Sequence, residues 1–206
     1  MHVEFGMVSL ENGAMSTRHG KVVLLEDVIK KTIEKALGII EEKNPELEGK
    51  KEVAEKIGVG AVVFGALSSG RIKDITFSYD KVLSFEGETG PYVQYTVARC
   101  NNVLKKGEGV TAKGTIDSVC DEEFALATQL ETLPAIVRSA AEKYEPFLIT
   151  RFALDTAKAF NKFYLECKIV GEDAERTAFR LKLTKATQIC LTTALSLLGI
   201  KAPEKM

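Results

Sequence analysis

The stretch Pro146-Phe147-Leu148-Ile149-Thr150-Arg151-Phe152-Ala153-Leu154-Asp155-Thr156-Ala157-Lys158-Ala159-Phe160-Asn161-Lys162-Phe163-Tyr164-Leu165-Glu166-Cys167 decides the fold class. Phe147, Leu154, Ala157, Phe160 and Tyr164 recur at the three-and-four spacing of one helical face, and no glycine or second proline interrupts it. The spacing predicts a long helix with those residues inward. Three more helical stretches surround it: Glu122 to Leu130, Pro134 to Lys143, and Glu175 to Leu198 with Leu181, Ile189, Leu195 and Leu198 inward. Gly199-Ile200 supplies a glycine helix stop followed by an apolar residue. The last ninety residues therefore read as a helical bundle.

Upstream the helical period continues. Leu25, Val28, Ile29, Ile33, Ala36, Leu37 and Ile40 mark one helix, closed by Asn44-Pro45 because the residue before proline avoids the α region. A second runs from about Glu52 to Leu67, with Ile57, Ala61, Phe64 and Leu67 inward. Its Gly58 and Gly60 each cost ~1 kcal/mol relative to alanine, which points to close approach of another backbone. Thr89 is placed to cap the next helix and Pro91 to occupy its first turn; that helix runs to Lys105-Lys106-Gly107. Residues 107–115 read as a flexible connection. Val3 to Leu10, Val22 to Leu24 and Asp74 to Tyr79 read as short strands, too few to bury a core alone. The expected fold is mainly α, a helical bundle preceded by a short α/β remnant.

Composition limits the function classes. Of 206 residues, 45% are hydrophobic and 28% charged, with a formal net charge of −1. No apolar run reaches the ~18 residues needed to span a bilayer, and the first residues lack the layout of a signal peptide, so a cytoplasmic protein without membrane partners is expected. A dedicated nucleic-acid module is usually basic, so any RNA surface has to be local. Cys100, Cys120, Cys167 and Cys190 lie far apart without a CxxC pair; they read as reduced, mostly buried thiols, and no metal site is expected.

Two features carry chemistry. The segment from Met15 to Lys21 holds Ser16, Thr17, Arg18, Gly20 and Lys21, a basic hydroxyl-rich loop able to fold over an anion and stabilise charge developing in phosphoryl or adenylyl transfer. The same composition also suits a plain solvated turn. Tyr92, Tyr95 and Tyr164 are aromatics that could stack on unpaired RNA bases or, equally by spacing, sit in a core with a hydrogen-bonded hydroxyl. No nucleophile–histidine set can be assembled.

Ordered motifs then resemble the class I arginyl-tRNA synthetases over essentially the whole chain. Phe5-Gly6-Met7-Val8 leading into Met15-Ser16-Thr17-Arg18 resembles the family's KMSKS loop, although Ala14 and Thr17 stand at its two lysines. Arg71-Ile72-Lys73-Asp74-Ile75 through Asp80 looks like the join between catalytic core and anticodon domain. Phe85-Glu86-Gly87-Glu88-Thr89-Gly90-Pro91-Tyr92-Val93-Gln94-Tyr95 is the most specific match. Ala159-Phe160-Asn161-Lys162-Phe163-Tyr164 and the ending Leu197 to Met206 complete the series.

The resemblance implies an enzyme that activates L-arginine with ATP and Mg and transfers it to tRNA(Arg). It implies a boundary at 78/79, with the end of the catalytic core in 1–78 and a DALR-type anticodon domain in 79–206. Met15, Ser16, Thr17, Arg18 and Lys21 would contact ATP phosphates; Tyr92, Tyr95, Arg99, Tyr164 and Met206 would contact the anticodon. The Arg180-Leu181 pair falls at the DALR-type motif, where helix packing explains it as well as RNA contact. The HIGH motif is not among these 206 residues, so the chain reads as part of a longer protein, inactive alone and with no cofactor bound. The competing readings are a non-catalytic tRNA-binding or scaffolding module and, further off, a small phosphate-using enzyme.

Overall fold

The computed structural model describes residues 2–10, 24–171 and 173–206. The basic loop from Met15 to Lys21 therefore lies outside the described residues, as do the first two residues of the expected strand Val22 to Leu24.

Strand β1 (Val8–Leu10) pairs in parallel with β2 (Ile75–Phe77), Val8 opposite Ile75 and Leu10 opposite Phe77. The expected strand from Val3 is three residues long, Val8–Leu10, and among the described residues it pairs with β2 alone. Among the described residues, Phe5 and Met7 are 82% and 71% exposed, an apolar strip. Between the strands lie α1 (Leu25–Lys43) and α2 (Lys50–Leu67), packed as a helical hairpin. The close approach expected of the two glycines is present. A Cβ on Gly58 would lie 2.8 Å from the Ile33 backbone, and one on Gly60 would lie 2.7 Å from the Gln94 amide nitrogen.

A short turn, α3 (Tyr79–Val82), leads into the bundle: α4 (Gly90–Lys106), α5 (Asp121–Glu131), α6 (Leu133–Lys143), α7 (Phe147–Glu166) and α8 (Ala174–Leu197). Thr89 caps α4, its Oγ1 accepting from the Tyr92 N–H at 3.2 Å, with Pro91 in the first turn. At the end of α8, Gly199 has φ 73°, its N–H reaches Ser196 O, and the Ile200 N–H reaches Leu195 O, each at 2.9 Å. This is the Schellman arrangement expected from Gly199-Ile200. It turns the chain back so that Gln94, fully buried, donates to the carbonyls of both Lys56 (2.9 Å) and Lys201 (2.8 Å).

Residues 107–115 form no helix or strand, yet they are tied down. The Thr115 N–H donates to Glu175 at 2.8 Å, and Gly114 lies against the α8 backbone at Phe179. One core layer gathers Val93, Val97, Ala153, Ala157, Leu191 and Leu195 with Phe64 of α2; a second gathers Cys100, Leu126, Phe160 and Phe163.

Three positions expected inward are not. Leu25, in the first turn of α1, is 65% exposed, Ile189 is 52% exposed and Tyr164 is 37% exposed. In α8 the buried face is built partly from threonines. Thr184 and Thr187 are fully buried, their hydroxyls donating to Arg180 O (2.8 Å) and Leu183 O (2.9 Å) one turn back. A threonine whose hydroxyl is satisfied by its own helix presents a methyl group to the core, so hydropathy alone misplaces the face.

Candidate nucleic-acid interface

Tyr92, Tyr95, Thr96 and Arg99 share one side of α4 at helical spacing, and α7 brings Phe160, Asn161 and Tyr164 against it. The centre is Arg99. Its guanidinium lies 4.9 Å from the ring centroid of Tyr95 and 4.9 Å from that of Tyr164. The cation is thus stacked between two aromatic faces from two helices. Both tyrosines stay more than a third exposed, at 38% and 37%.

Asn161 fixes the orientation. Arg99 Nη1 donates to Asn161 Oδ1 at 2.5 Å, while Asn161 Nδ2 donates to the Tyr92 hydroxyl at 2.9 Å and to Thr96 Oγ1 at 3.1 Å. Arg99 Nη2 also reaches the Tyr95 hydroxyl at 3.4 Å. The rotamer of a long cation is costly to fix, and here one amide and two rings hold it in advance of any ligand. Tyr164 leans on the buried Phe160 ring at 6.3 Å. Directly behind, Cys100 is fully buried, and desolvation pushes its thiol up to about 12, so it serves as packing rather than as a nucleophile.

Tyr92 differs from the other two tyrosines. It is half-buried against the core layer of α4, α7 and α8, and its hydroxyl accepts from Asn161. It supports the stack from beneath. Met206 packs against the α1–α2 core and lines a pocket with Ile39, Lys43, Phe85 and Tyr95. Tyr95 therefore has the Arg99 stack on one side and an apolar pocket on the other. The structure brings Tyr92, Tyr95, Arg99, Tyr164 and Met206 into one region. Asn161 was not singled out from sequence, although its place three residues before Tyr164 puts it on the same face.

The arrangement suits single-stranded nucleic acid. Exposed tyrosine faces offer stacking to splayed bases, and the held guanidinium offers donors to a phosphate or a base edge. Arg180 behaves otherwise. Its Nε donates to Glu123 Oε1 at 2.6 Å and its Nη1 to Lys168 O at 2.8 Å. Glu123 is fully buried and also takes the Cys120 N–H (2.9 Å) and Arg176 Nη1 (3.4 Å). Burial alone would push the Glu123 carboxyl up; the bonds from Arg180 and the Cys120 N–H, with the Arg180 charge, outweigh it and hold it below the usual range. Arg180 is thus engaged in joining α8 to α5.

Residues 93–206 match the DALR anticodon binding domain, and residues 1–79 match the catalytic domain of class I tRNA synthetases (R). The arginine–tRNA ligase of Halothermothrix orenii is 51% identical over 208 residues, covering all of this chain and 37% of that protein. The corresponding ligase of Exiguobacterium sp. is 48% identical, covering all of this chain and 36% of its own length. Among solved structures, Thermus thermophilus arginyl-tRNA synthetase superposes with a TM-score of 0.89 at 35% identity, over the whole chain and 35% of that structure. The chain spans about 37% of the length of these curated relatives. No helix among the described residues is long and apolar enough to cross a membrane. On the matched segments, the identity over the whole chain and the superposition, this chain belongs to the arginyl-tRNA synthetase family and carries its DALR anticodon binding domain.

Proposed function

We propose that this chain is the anticodon-reading part of an arginine–tRNA ligase, with residues 79–206 as the tRNA-binding domain and residues 1–78 as the end of the catalytic core. The single observation that carries the reading is the Tyr95–Arg99–Tyr164 stack, held in place by Asn161 yet open to solvent. Arg99 itself is half-buried, but the two rings that flank it are each more than a third exposed, so aromatic surface beside a held cation is open to a ligand. In the full ligase, L-arginine is activated with ATP and Mg and passed to tRNA(Arg) in the cytoplasm. Met15, Ser16, Thr17, Arg18 and Lys21 carry the ATP-phosphate contacts, and Tyr92, Tyr95, Arg99, Tyr164 and Met206 form the anticodon surface.

The test is binding of a fluorescent arginine tRNA to the chain, beside the same tRNA with its anticodon bases replaced. Tighter binding of the unaltered tRNA, abolished by Arg99→Ala in a protein that still melts cooperatively, is the expected result. Equal affinity for both tRNAs would overturn the anticodon reading and favour a non-specific scaffold. The chain alone should catalyse no arginine-dependent pyrophosphate exchange, because it contains no HIGH motif.

A further inference from the structure

Cys120 and Cys167 are separated by 47 positions in sequence, yet their sulphurs lie 3.4 Å apart. The first caps the amino end of α5 and the second the carboxy end of α7. Both are free thiols, Cys120 half-buried and Cys167 buried. We propose that this pair is a reversible disulfide site, oxidised by a peroxide and restored by a dithiol reductant.

Position and chemistry support this. Each cysteine sits where a helical hydrogen-bond ladder ends, so closing the gap to the ~2.05 Å of a disulfide moves helix ends rather than helix middles. Cys120, the more accessible of the two thiols, stands at the amino end of α5 and is the one an oxidant reaches first. Its thiolate attacks one oxygen of hydrogen peroxide, the O–O bond breaks, and the departing hydroxide takes the released proton as water. The Cys120 sulfenic acid is then attacked by the Cys167 sulphur, the S–O bond breaks, and the Cys167 proton leaves with the hydroxyl as a second water. Two thiols are oxidised by two electrons and one peroxide is reduced to two waters.

Glu123 lies beside the pair, and the three side chains together have the proximity of a metal site. Both its carboxylate oxygens are bound by arginines, Oε1 by Arg180 and Oε2 by Arg176. Two guanidiniums at the donor set disfavour a divalent cation and leave the dithiol as the reactive unit. Tyr164 lies less than one turn before Cys167, and Lys162 bridges to Glu122 at 3.3 Å along the same seam. The disulfide would therefore pin the end of α7 that carries one wall of the Arg99 stack.

The test uses the full chain, fully reduced, desalted and treated with hydrogen peroxide, then alkylated and digested with trypsin. Cleavage after lysine and arginine places Cys120 in peptide 114–138 and Cys167 in peptide 163–168, with Cys100 and Cys190 each in another. The expected product is a monomer lighter by ~2 Da, with those two peptides joined. Dithiothreitol restores the original mass, and Cys120→Ser and Cys167→Ser each abolish the link while Cys100 and Cys190 still alkylate. Four cysteines alkylating equally after peroxide would overturn the proposal. So would a link between any other pair, or zinc co-purifying at one per chain and protecting the two thiols without oxidant.

Discussion

The Arg99 guanidinium lies 4.9 Å from the ring of Tyr164 on a different helix, and Asn161 from that same helix holds it at 2.5 Å. One cation, half-buried itself, thus links α4 to α7 by a stacked face and a hydrogen bond.

Replacing Tyr164 by alanine removes one wall of this stack. The expected loss of tRNA affinity is ~1–3 kcal/mol, about 5- to 150-fold. Thermal stability should change little, because the ring is more than a third exposed. Fluorescence anisotropy alongside a melting curve separates the effects. A large drop in the melting midpoint with unchanged affinity would make Tyr164 a packing residue only.

Asn161→Ala should act through Arg99 rather than through direct contact. The amide bonds Arg99, Tyr92 and Thr96 at once. Its loss releases the guanidinium and leaves two hydroxyls without their donor. Affinity should fall while the salt dependence of binding stays as steep as in the parent chain, since no phosphate-contacting charge has been removed. A shallower salt slope would show that Asn161 itself governs phosphate contact.

Glu123→Gln tests the buried junction of α5 and α8. Removing one partner from a buried ion pair costs about 3–5 kcal/mol, read as a lower urea midpoint at neutral pH. The folded carboxyl titrates below its ordinary value of 4.5. Its stabilising contribution is therefore present above that value and is lost as the pH falls through the lower, folded one. The gap between the parent chain and Glu123→Gln should narrow in acid. A gap independent of pH would mean that the charge is not what stabilises the junction.

Gly58→Ala should destabilise by about 1–3 kcal/mol, because the new methyl meets the Ile33 backbone at 2.8 Å and α1 has to move away. Denaturant unfolding followed by circular dichroism measures it. A variant as stable as the parent would show that the hairpin has slack there.

Phe160→Ala empties a fully buried ring site beneath the tyrosine stack, at about 3–5 kcal/mol. Tyr164 rests on that ring, so RNA affinity should fall with stability. Unchanged affinity in the folded fraction would separate the stack from the core under it.

Much of this was legible in the chain. The three-and-four spacing of α1, α2 and α7, the Thr89 cap and the Gly199 stop all come from local chemistry, and local chemistry is what a sequence displays. Features set by contacts distant along the chain were not. Buried threonines in α8 read as polar, so Ile189 looked inward. Cys120 and Cys167 looked unrelated because only the packing of α5 on α7 joins them. Arg180 could be read as RNA contact until the buried Glu123 beside it was seen. By spacing Tyr95 and Tyr164 read more readily as core residues, and Tyr164 as an inward one; only their exposure around Arg99 marks them as stacking surface.

Helix α2 has a mechanical consequence. Gly58 and Gly60 are two residues apart, ~200° around a helix, so they open nearly opposite sides of it. On one side the Ile33 backbone of α1 lies against Gly58; on the other the Gln94 side chain lies against Gly60, and the Gly90 turn of α4 against the Gly60 backbone. With no side chain of its own at either point, α2 is a shim with little play. A nudge to α1, the first helix after the basic loop, would arrive at α4, which bears Tyr95 and Arg99, with little lost on the way. The two ends of the chain's chemistry are in this sense geared together by the smallest residue available.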